Sequence, residues 1–170
     1  FKIANSYIKK ISKHPIFWIE EPISARSSDK DYLNLIKKSK VHLALGENVY
    51  DDNLINILLR NKFLKYFQPD ITKYGGISLV NNFINSKDKN KIFLHFLGSG
   101  VGLITSAHMM TAINNNGLLE TDFNENPLRD NIFNEKIKIT NGKIYLNNKP
   151  GIGFNLNKKI LKKYTVNKFT

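Results

Sequence analysis

The sequence contains no cysteine among its 170 residues. Without cysteine the chain forms neither disulfides nor thiolate metal sites, which excludes two common ways of stabilising a small protein. A long, uninterrupted apolar run is also missing, since the most apolar stretch, 92–113, includes His95, His108 and several hydroxyl side chains. A bilayer interior penalises such groups strongly. We therefore expect a soluble, cytoplasmic protein that has no membrane partner.

Arginine is scarce, which limits what the net charge of +12 implies. Only three of the 26 basic residues are arginine, although arginine is the preferred residue for gripping phosphates. The lysines are spread over the chain among many asparagines and isoleucines. The densest basic run, Lys158–Lys163, has the four-residue spacing of one helix face. We interpret it as a solvated helix surface and expect no nucleic-acid partner.

Short apolar strands alternate with amphipathic helical segments along most of the chain. Helices are predicted at 1–13, after an N-cap at Ser28 or Asp29, after Asp51, from Gly75-Gly76, and after the glycine-rich loop Gly98–Gly102. Strands are predicted before Glu20, at Val41–Gly46, at Leu64–Phe67, at Lys91–Leu94 and at Leu118-Leu119. The alternation indicates an α/β fold with parallel strands and right-handed crossovers.

Each predicted strand ends in a polar side chain. These residues are Glu20, Glu47, Asp70, His95 and Glu120, so the successive separations are 27, 23, 25 and 25 residues. A separation of this length accommodates one strand, one helix and two short loops. An open doubly wound sheet concentrates its site at one switch point, whereas a (β/α) barrel carries catalytic groups at several strand ends. The pattern favours part of a TIM-type (β/α) barrel.

The pattern changes after Glu120. We assign 1–123 to a partial barrel and 124–170 to a tail made of a loop, a β-hairpin and a short helix. The hairpin prediction rests on polar–apolar alternation on both sides of Asn141-Gly142, a strong two-residue turn signal. We expect this tail to pack against a part of the protein outside this segment.

The strand-end residues suggest chemistry as a set rather than singly. Alone, Glu20, Glu47 or Asp70 is best explained as a loop cap or a salt-bridge partner. On adjacent strands the three carboxylates would converge, and oxygen ligands of this kind suit Mg²⁺. His95 follows one strand after Asp70, and an Asp–His pair fixes the imidazole tautomer and makes it a better base. A buried structural histidine is the alternative for His95.

Two other features carry weaker signals. The Gly98–Gly102 loop precedes a helix and could cradle a phosphate. It lacks both the lysine of a P-loop and the GxGxxG spacing. His108 lies in the middle of a predicted helix among apolar residues, and we interpret it as structural.

A series of motifs, taken in order, resembles the enolase superfamily. The match is closest to its mandelate racemase/muconate lactonizing enzyme branch, which includes acid-sugar dehydratases, and it covers essentially the whole chain. The motifs are Trp18–Pro22, Ala44–Glu47, Gln68–Asp70 with Gly75-Gly76, His95 with its glycine-rich loop, Leu119-Glu120, Asn126–Arg129 and Pro150–Gly153.

This resemblance implies the metal ligands. It implies that Glu20, not Glu21, is the inward carboxylate, and that Glu20 and Glu47 are two of three Mg²⁺ ligands. Members of the family begin with a capping domain and first barrel strands, which supply a Lys-x-Lys motif and the first metal aspartate. We expect these parts to lie outside this segment, which alone should bind Mg²⁺ weakly.

The resemblance also implies catalytic roles. It assigns Asp70 and His95 to a catalytic dyad, which removes Asp70 from the metal set, and it places Glu120 beside the substrate carboxylate.

The implied reaction is Mg²⁺-dependent removal of the α-proton of a carboxylate through an enediolate. An acid-sugar (aldonate or aldarate) dehydratase or a racemase fits best, with a small hydroxy acid or acid sugar as substrate and a homo-oligomeric full-length enzyme. The alternatives are a silent binding module and a phosphate- or nucleotide-binding α/β domain that uses Gly98–Gly102.

Overall fold

The computed structural model of the chain describes residues 1–49, 51–60, 64–85, 92–113 and 117–167. Its elements follow the predicted alternation of strand and helix. In chain order they are α1 (Lys2–Ile11), β1 (Ile19–Glu20), α2 (Asp29–Lys38), β2 (Leu43–Leu45), α3 (Asp52–Arg60), β3 (Tyr66–Phe67), α4 (Gly76–Asn85), α5 (Gly100–Ile113), α6 (Pro127–Asp130), β4 (Lys138–Thr140), β5 (Lys143–Tyr145) and α7 (Lys158–Tyr164).

Two helix starts are fixed by the capping side chains that the sequence suggests. The Ser28 hydroxyl accepts a hydrogen bond from the Asp31 amide at 3.2 Å, so Ser28 rather than Asp29 caps α2. The Leu54 amide donates to the Asp51 carboxylate at 2.9 Å at the start of α3. Such caps satisfy amides that have no partner within the helix.

The strands form a parallel sheet in the order β1-β2-β3. Glu20 is paired with Ala44, and Leu45 is paired with Phe67. The sheet continues beyond β3, because the Phe93 amide donates to the Phe67 carbonyl at 2.8 Å and the Glu120 amide donates to the Leu94 carbonyl at 3.0 Å. Strand segments consecutive in sequence are therefore neighbours in space, which confirms the partial (β/α) barrel.

The paired regions are shorter than the predicted strands. At the fourth predicted strand, only the bridge between Ile92 and Phe67 is formed, and Lys91 lies outside the described residues. Leu118 and Leu119 run alongside this segment without a strand of their own. Apolar runs therefore extend beyond the hydrogen-bonded ladder into the loops at both ends.

The two faces of the sheet carry different side chains. Phe67 and Leu94 belong to the main core between the sheet and the helices. On the opposite, inner face, Ala44, Tyr66 and Phe93 form a separate cluster against which Trp18 packs. Because successive strand residues alternate between faces, Glu20 follows Trp18 onto this inner face. The same alternation places Gln68 after Tyr66 and His95 after Phe93.

The predicted hairpin is confirmed in the tail. β4 and β5 pair antiparallel, and the turn residues Asn141 and Gly142 have φ values of 51° and 69°, as a two-residue hairpin turn requires.

The tail packs on α5. Its apolar side chains form a cluster with Ile104 of α5 that includes Ile132 and Phe133. Residues 127–130 form a short helix where a polar loop was expected, because Asn126 caps its amides and Pro127 occupies the first helical position. Contact between the tail and parts outside this segment stays a prediction.

In the described part of the chain, no helix combines the length and the apolarity needed to cross a bilayer.

Candidate active site

The adjacent carboxylates at the end of β1 have different environments. Glu21 has a φ of 34°, and its carboxylate accepts hydrogen bonds from the amides of Gly46 and Asn48 at 3.2 and 2.8 Å. Glu21 thereby fastens the loop between β2 and α3. Glu20 instead accepts a hydrogen bond from the Gln68 side chain at 3.2 Å, which places its carboxylate on the inner face of the sheet.

Gln68 links two carboxylates that come from distant strands. Its side-chain nitrogen donates to Glu20 at 3.2 Å and also faces Glu120 at 3.4 Å. Burial raises the pKa of Glu20 above its usual value, and the nearby charge of Glu120 raises it further, while the bond from Gln68 acts in the opposite direction. Negative charge is therefore concentrated at this edge of the sheet.

Glu47 lies between two groups that can carry positive charge. One carboxylate oxygen is 2.5 Å from the Lys73 ammonium nitrogen, and the other is 3.6 Å from Nε2 of His95. Lys73 also reaches the Asn48 side-chain oxygen at 3.4 Å. These contacts tie the loop after β2 to the loop after β3.

Asp70 and His95 form a buried pair in which neither side chain is more than 3% exposed. Nδ1 of His95 lies 3.4 Å from an Asp70 oxygen, a separation longer than a well-formed hydrogen bond. In enzymes without bound substrate, hydrogen bonds between catalytic groups are often of this length. With Nδ1 facing Asp70, Nε2 faces Glu47 at the open end of the strands.

The pKa of each member of this pair is shifted toward its charged form. Burial alone would raise the pKa of Asp70, but contact with His95 and the bonds from Thr72 lower it to about 2. The Thr72 amide and hydroxyl donate to Asp70 at 2.7 and 2.6 Å. Burial alone would lower the pKa of His95, but Asp70 and then the charges of Glu47 and Glu120 raise it. Asp70 is thus a fixed anion behind the imidazole.

The carboxylates fit a magnesium ion in their chemistry but do not complete a site. Glu20 and Glu47 offer the oxygen donors that Mg²⁺ prefers, and the charge crowded around Glu20 is of the kind a cation balances. Across the ranges that the structure describes, no three His, Asp or Glu side chains are arranged to hold a metal ion. Glu20 and Glu47 are therefore two candidate ligands, and the described residues supply no third one beside them.

The glycine-rich loop is explained by packing. A Cβ atom on Gly98 would lie 2.8 Å from the Phe96 ring, and one on Gly100 would lie 2.7 Å from the Arg129 carbonyl oxygen. Both distances are too short for a side chain, so the glycines allow α5 to begin close to these groups. His108 contacts the Ile152 carbonyl oxygen at 3.2 Å through Nε2, which agrees with a structural role.

Some residues of this site were not singled out from the sequence. The alternation of β3 places Gln68 on the same face as Tyr66, a signal that was available. Thr72 lies two residues after Asp70, which is the spacing of an Asx-turn, in which an aspartate side chain accepts a hydrogen bond from the backbone amide two residues later. Nothing in the sequence indicated that Lys73 would reach Glu47.

Comparison with known proteins identifies the family of this chain. Residues 3–160 match the enolase C-terminal domain-like family. The chain belongs to this family. Its resemblance to the mandelate racemase-like branch of the enolase superfamily is thereby confirmed, as is its place in the C-terminal barrel part of that fold.

Relatives within the superfamily carry names of acid-sugar enzymes. Arabinonate dehydratase of Saccharolobus solfataricus is 28% identical over an alignment 170 positions long, which covers 96% of this chain and 44% of that protein. The structure of the 3,6-anhydro-D-galactonate cycloisomerase of Zobellia galactanivorans has a TM-score of 0.79 at 27% identity, over 96% of this chain and 46% of that one.

A third comparison shows the fold alone. An enolase of Pantoea ananatis, solved with bound D-gluconate and Mg²⁺, has a TM-score of 0.78 at 21% identity, over 94% of this chain and 39% of that one. The chain therefore spans less than half the length of the relatives it matches.

Proposed function

We propose that this chain forms the C-terminal part of an acid-sugar dehydratase that removes the α-proton of a carboxylate substrate. The observation that carries this proposal is the buried Asp70–His95 pair at the ends of neighbouring strand segments. It lies at the same edge of the sheet as Glu20, Glu47 and Glu120.

His95 is the base in this proposal. Because Nδ1 faces Asp70, Nε2 is the atom that takes the α-proton, and Asp70 stabilises the imidazolium that results. A positioned base of this kind contributes about 10²–10⁴ in rate. With the pKa of His95 raised, activity should fall as the pH decreases through that value, since only neutral imidazole accepts the proton.

Glu20 and Glu47 would hold Mg²⁺, together with a ligand from outside this segment. When bound, the ion stabilises the negative charge that develops on the substrate carboxylate. Glu120, which shares the Gln68 amide with Glu20, would lie beside that carboxylate as a hydrogen-bonding acid.

The substrate class follows from the names of the relatives. Arabinonate and D-xylonate dehydratases are among them, so we propose an aldonate from which a β-hydroxyl leaves after proton removal. A racemase is the second candidate, because a second base could return a proton to the opposite face after His95 has removed the α-proton. A homo-oligomeric enzyme in the cytoplasm stays part of this proposal.

The test is α-proton exchange in D₂O with the protein expressed from its complete reading frame. With Mg²⁺ and a panel of aldonates, the wild type should exchange the α-proton of its substrate. His95→Asn should reduce exchange by about 10²-fold or more, because it removes the basic nitrogen. His108→Asn, on α5 away from the strand ends, is the matched control and should exchange normally.

Two outcomes would contradict the proposal. Normal exchange in His95→Asn would remove His95 from the mechanism. A folded wild type that neither exchanges the α-proton of any of these aldonates nor dehydrates one in the presence of Mg²⁺ would favour the silent binding module instead.

A further inference from the structure

Gln68 occupies an unusual position among the residues of the site. It directly follows β3 and is only 1% exposed. Its backbone amide donates to the Leu45 carbonyl at 2.8 Å. Gly46 lies so close that a Cβ there would be 2.7 Å from the backbone carbonyl carbon of Gln68. The backbone of Gln68 is therefore held against the end of β2, which fixes the direction of its side chain.

The side-chain nitrogen of Gln68 serves two acceptors at once. An amide NH₂ group has two hydrogens, and here they face one oxygen of Glu20 and one oxygen of Glu120 at 3.2 and 3.4 Å. Glu20 ends β1, whereas Glu120 lies beside Leu94, beyond β3. One side-chain amide thus joins two carboxylates that come from strand segments on either side of β3.

A neutral donor has a consequence that a cationic one would not have. Two carboxylates repel each other when brought together, and a lysine between them would pair with their charge. Lys73 makes such a pair with Glu47. The amide of Gln68 instead holds both groups and leaves their charge available for a bound cation or substrate.

The other end of the Gln68 side-chain amide contributes no hydrogen bond among the described residues. The Gln68 side-chain oxygen is buried and has no hydrogen-bond partner within the described residues. An unsatisfied buried acceptor is destabilising, so the side-chain oxygen does not explain why a glutamine stands at this position.

We propose that Gln68 is a positioning residue: its neutral amide holds Glu20 and Glu120 side by side in the orientation that the metal and the substrate require. This inference rests on the proposed function of the site. It assigns to Gln68 no direct contact with substrate.

The test compares Gln68→Met with wild type in the protein expressed from its complete reading frame. Methionine keeps the length of the side chain and removes both donors and the unpartnered oxygen. We expect an unfolding midpoint close to that of wild type, because the loss of the hydrogen bonds to Glu20 and Glu120 is offset by removal of the unpartnered buried oxygen. We also expect about 10- to 100-fold weaker Mg²⁺ binding by calorimetry, and a fall in kcat for the exchange reaction that is larger than any change in KM.

Two variants sharpen this test. Ser106→Ala is the matched control, because the Ser106 hydroxyl is also buried and unpartnered within the described part of the chain but lies on α5; it should leave Mg²⁺ binding unchanged. Gln68→Glu keeps the length and volume but replaces the donor with a third carboxylate, and its kcat should fall like that of Gln68→Met.

The outcomes separate this inference from the proposed function. Wild-type Mg²⁺ affinity and kcat in Gln68→Met would overturn it, as would a normal kcat in Gln68→Glu. A large loss of stability in Gln68→Met with unchanged Mg²⁺ affinity would assign Gln68 to packing and also overturn it. A wild type without Mg²⁺-dependent exchange would instead refute the proposed function itself.

Discussion

Neighbouring residues of the same type act differently in this chain. Glu20 and Glu21 are adjacent carboxylates, but Glu21 binds loop amides and Glu20 meets the Gln68 amide on the inner face. The difference comes from strand alternation together with the positive φ of Glu21. A substitution of Glu21 should therefore affect the order of the loop between β2 and α3. A substitution of Glu20 should instead affect the charge of the site.

Asp70 should make stability depend on pH in a narrow acidic range. Its pKa is lowered from 3.8 to about 2 in the folded chain, so its stabilising effect is complete above pH 3.8 and disappears as the pH falls from there toward 2. The total is about 2 kcal/mol. His95 titrates well above this range and does not obscure the effect.

Urea unfolding of wild type and Asp70→Asn between about pH 6 and pH 2 checks this expectation. The difference in the free energy of unfolding between wild type and Asp70→Asn should become smaller as the pH falls over that range. Thr72→Val, which removes the hydroxyl donor to Asp70, should reduce this difference in part. An advantage that does not change with pH would show that Asp70 is not a stabilising anion.

Much of this site could be predicted from the sequence because the information is local. Strand endings, caps and the hairpin turn depend on residues a few positions apart, so the sequence predicts that a carboxylate after β1, Asp70 and His95 follow neighbouring strands. The choice of Glu20 over Glu21 rests on the family resemblance. The contact between Lys73 and Glu47 and the bridge made by Gln68 depend on which strands become neighbours and on side-chain direction. Strand alternation indicates the face on which Gln68 lies, but not which side chains on neighbouring strands it reaches.

At the scale of elements, Gly46, directly after β2, lies against the backbone of Gln68, directly after β3. It has a φ of 141°, and a Cβ would lie 2.7 Å from the Gln68 carbonyl carbon. The sheet can bring the ends of β2 and β3 together only with glycine at this position. The contact between the backbones of Gly46 and Gln68 therefore fixes where the chain leaves β2 before it reaches Glu47.

Gly46→Ala should be much more destabilising than Gly76→Ala. Gly76 also has a positive φ, of 90°, but a Cβ there meets nothing within 4 Å. We expect about 1 kcal/mol from strain alone at Gly76 and about 3 kcal/mol or more at Gly46, where overpacking adds to strain. Chemical denaturation measures both. Equal losses would mean that the contact with Gln68 relaxes easily.

At the scale of the whole molecule, the tail and the barrel part share a core. Phe133 is 5% exposed and packs against Phe154 with ring centroids 5.0 Å apart and a tilt of 32°. It belongs to the cluster that includes Ile104 of α5. The division into 1–123 and 124–170 therefore describes the sequence pattern, whereas the apolar packing runs across it.

Phe133→Ala should lower the free energy of unfolding of the chain by about 3 kcal/mol. Phe123→Ala is its control, because Phe123 is 100% exposed, and it should change stability by less than about 0.5 kcal/mol. Circular dichroism during urea unfolding should show one transition for each variant. Two separate transitions in Phe133→Ala would indicate that the tail unfolds on its own.

The inner aromatic cluster makes the site observable without a label. Trp18 is the chain's single tryptophan, it lies two residues before Glu20, and its ring centroid is 5.1 Å from that of Tyr66 and 5.7 Å from that of Phe93. Its fluorescence therefore originates on the inner face of the sheet, next to the end of β1. A shift in emission on titration with a cation or an aldonate would report directly on that end of the strand.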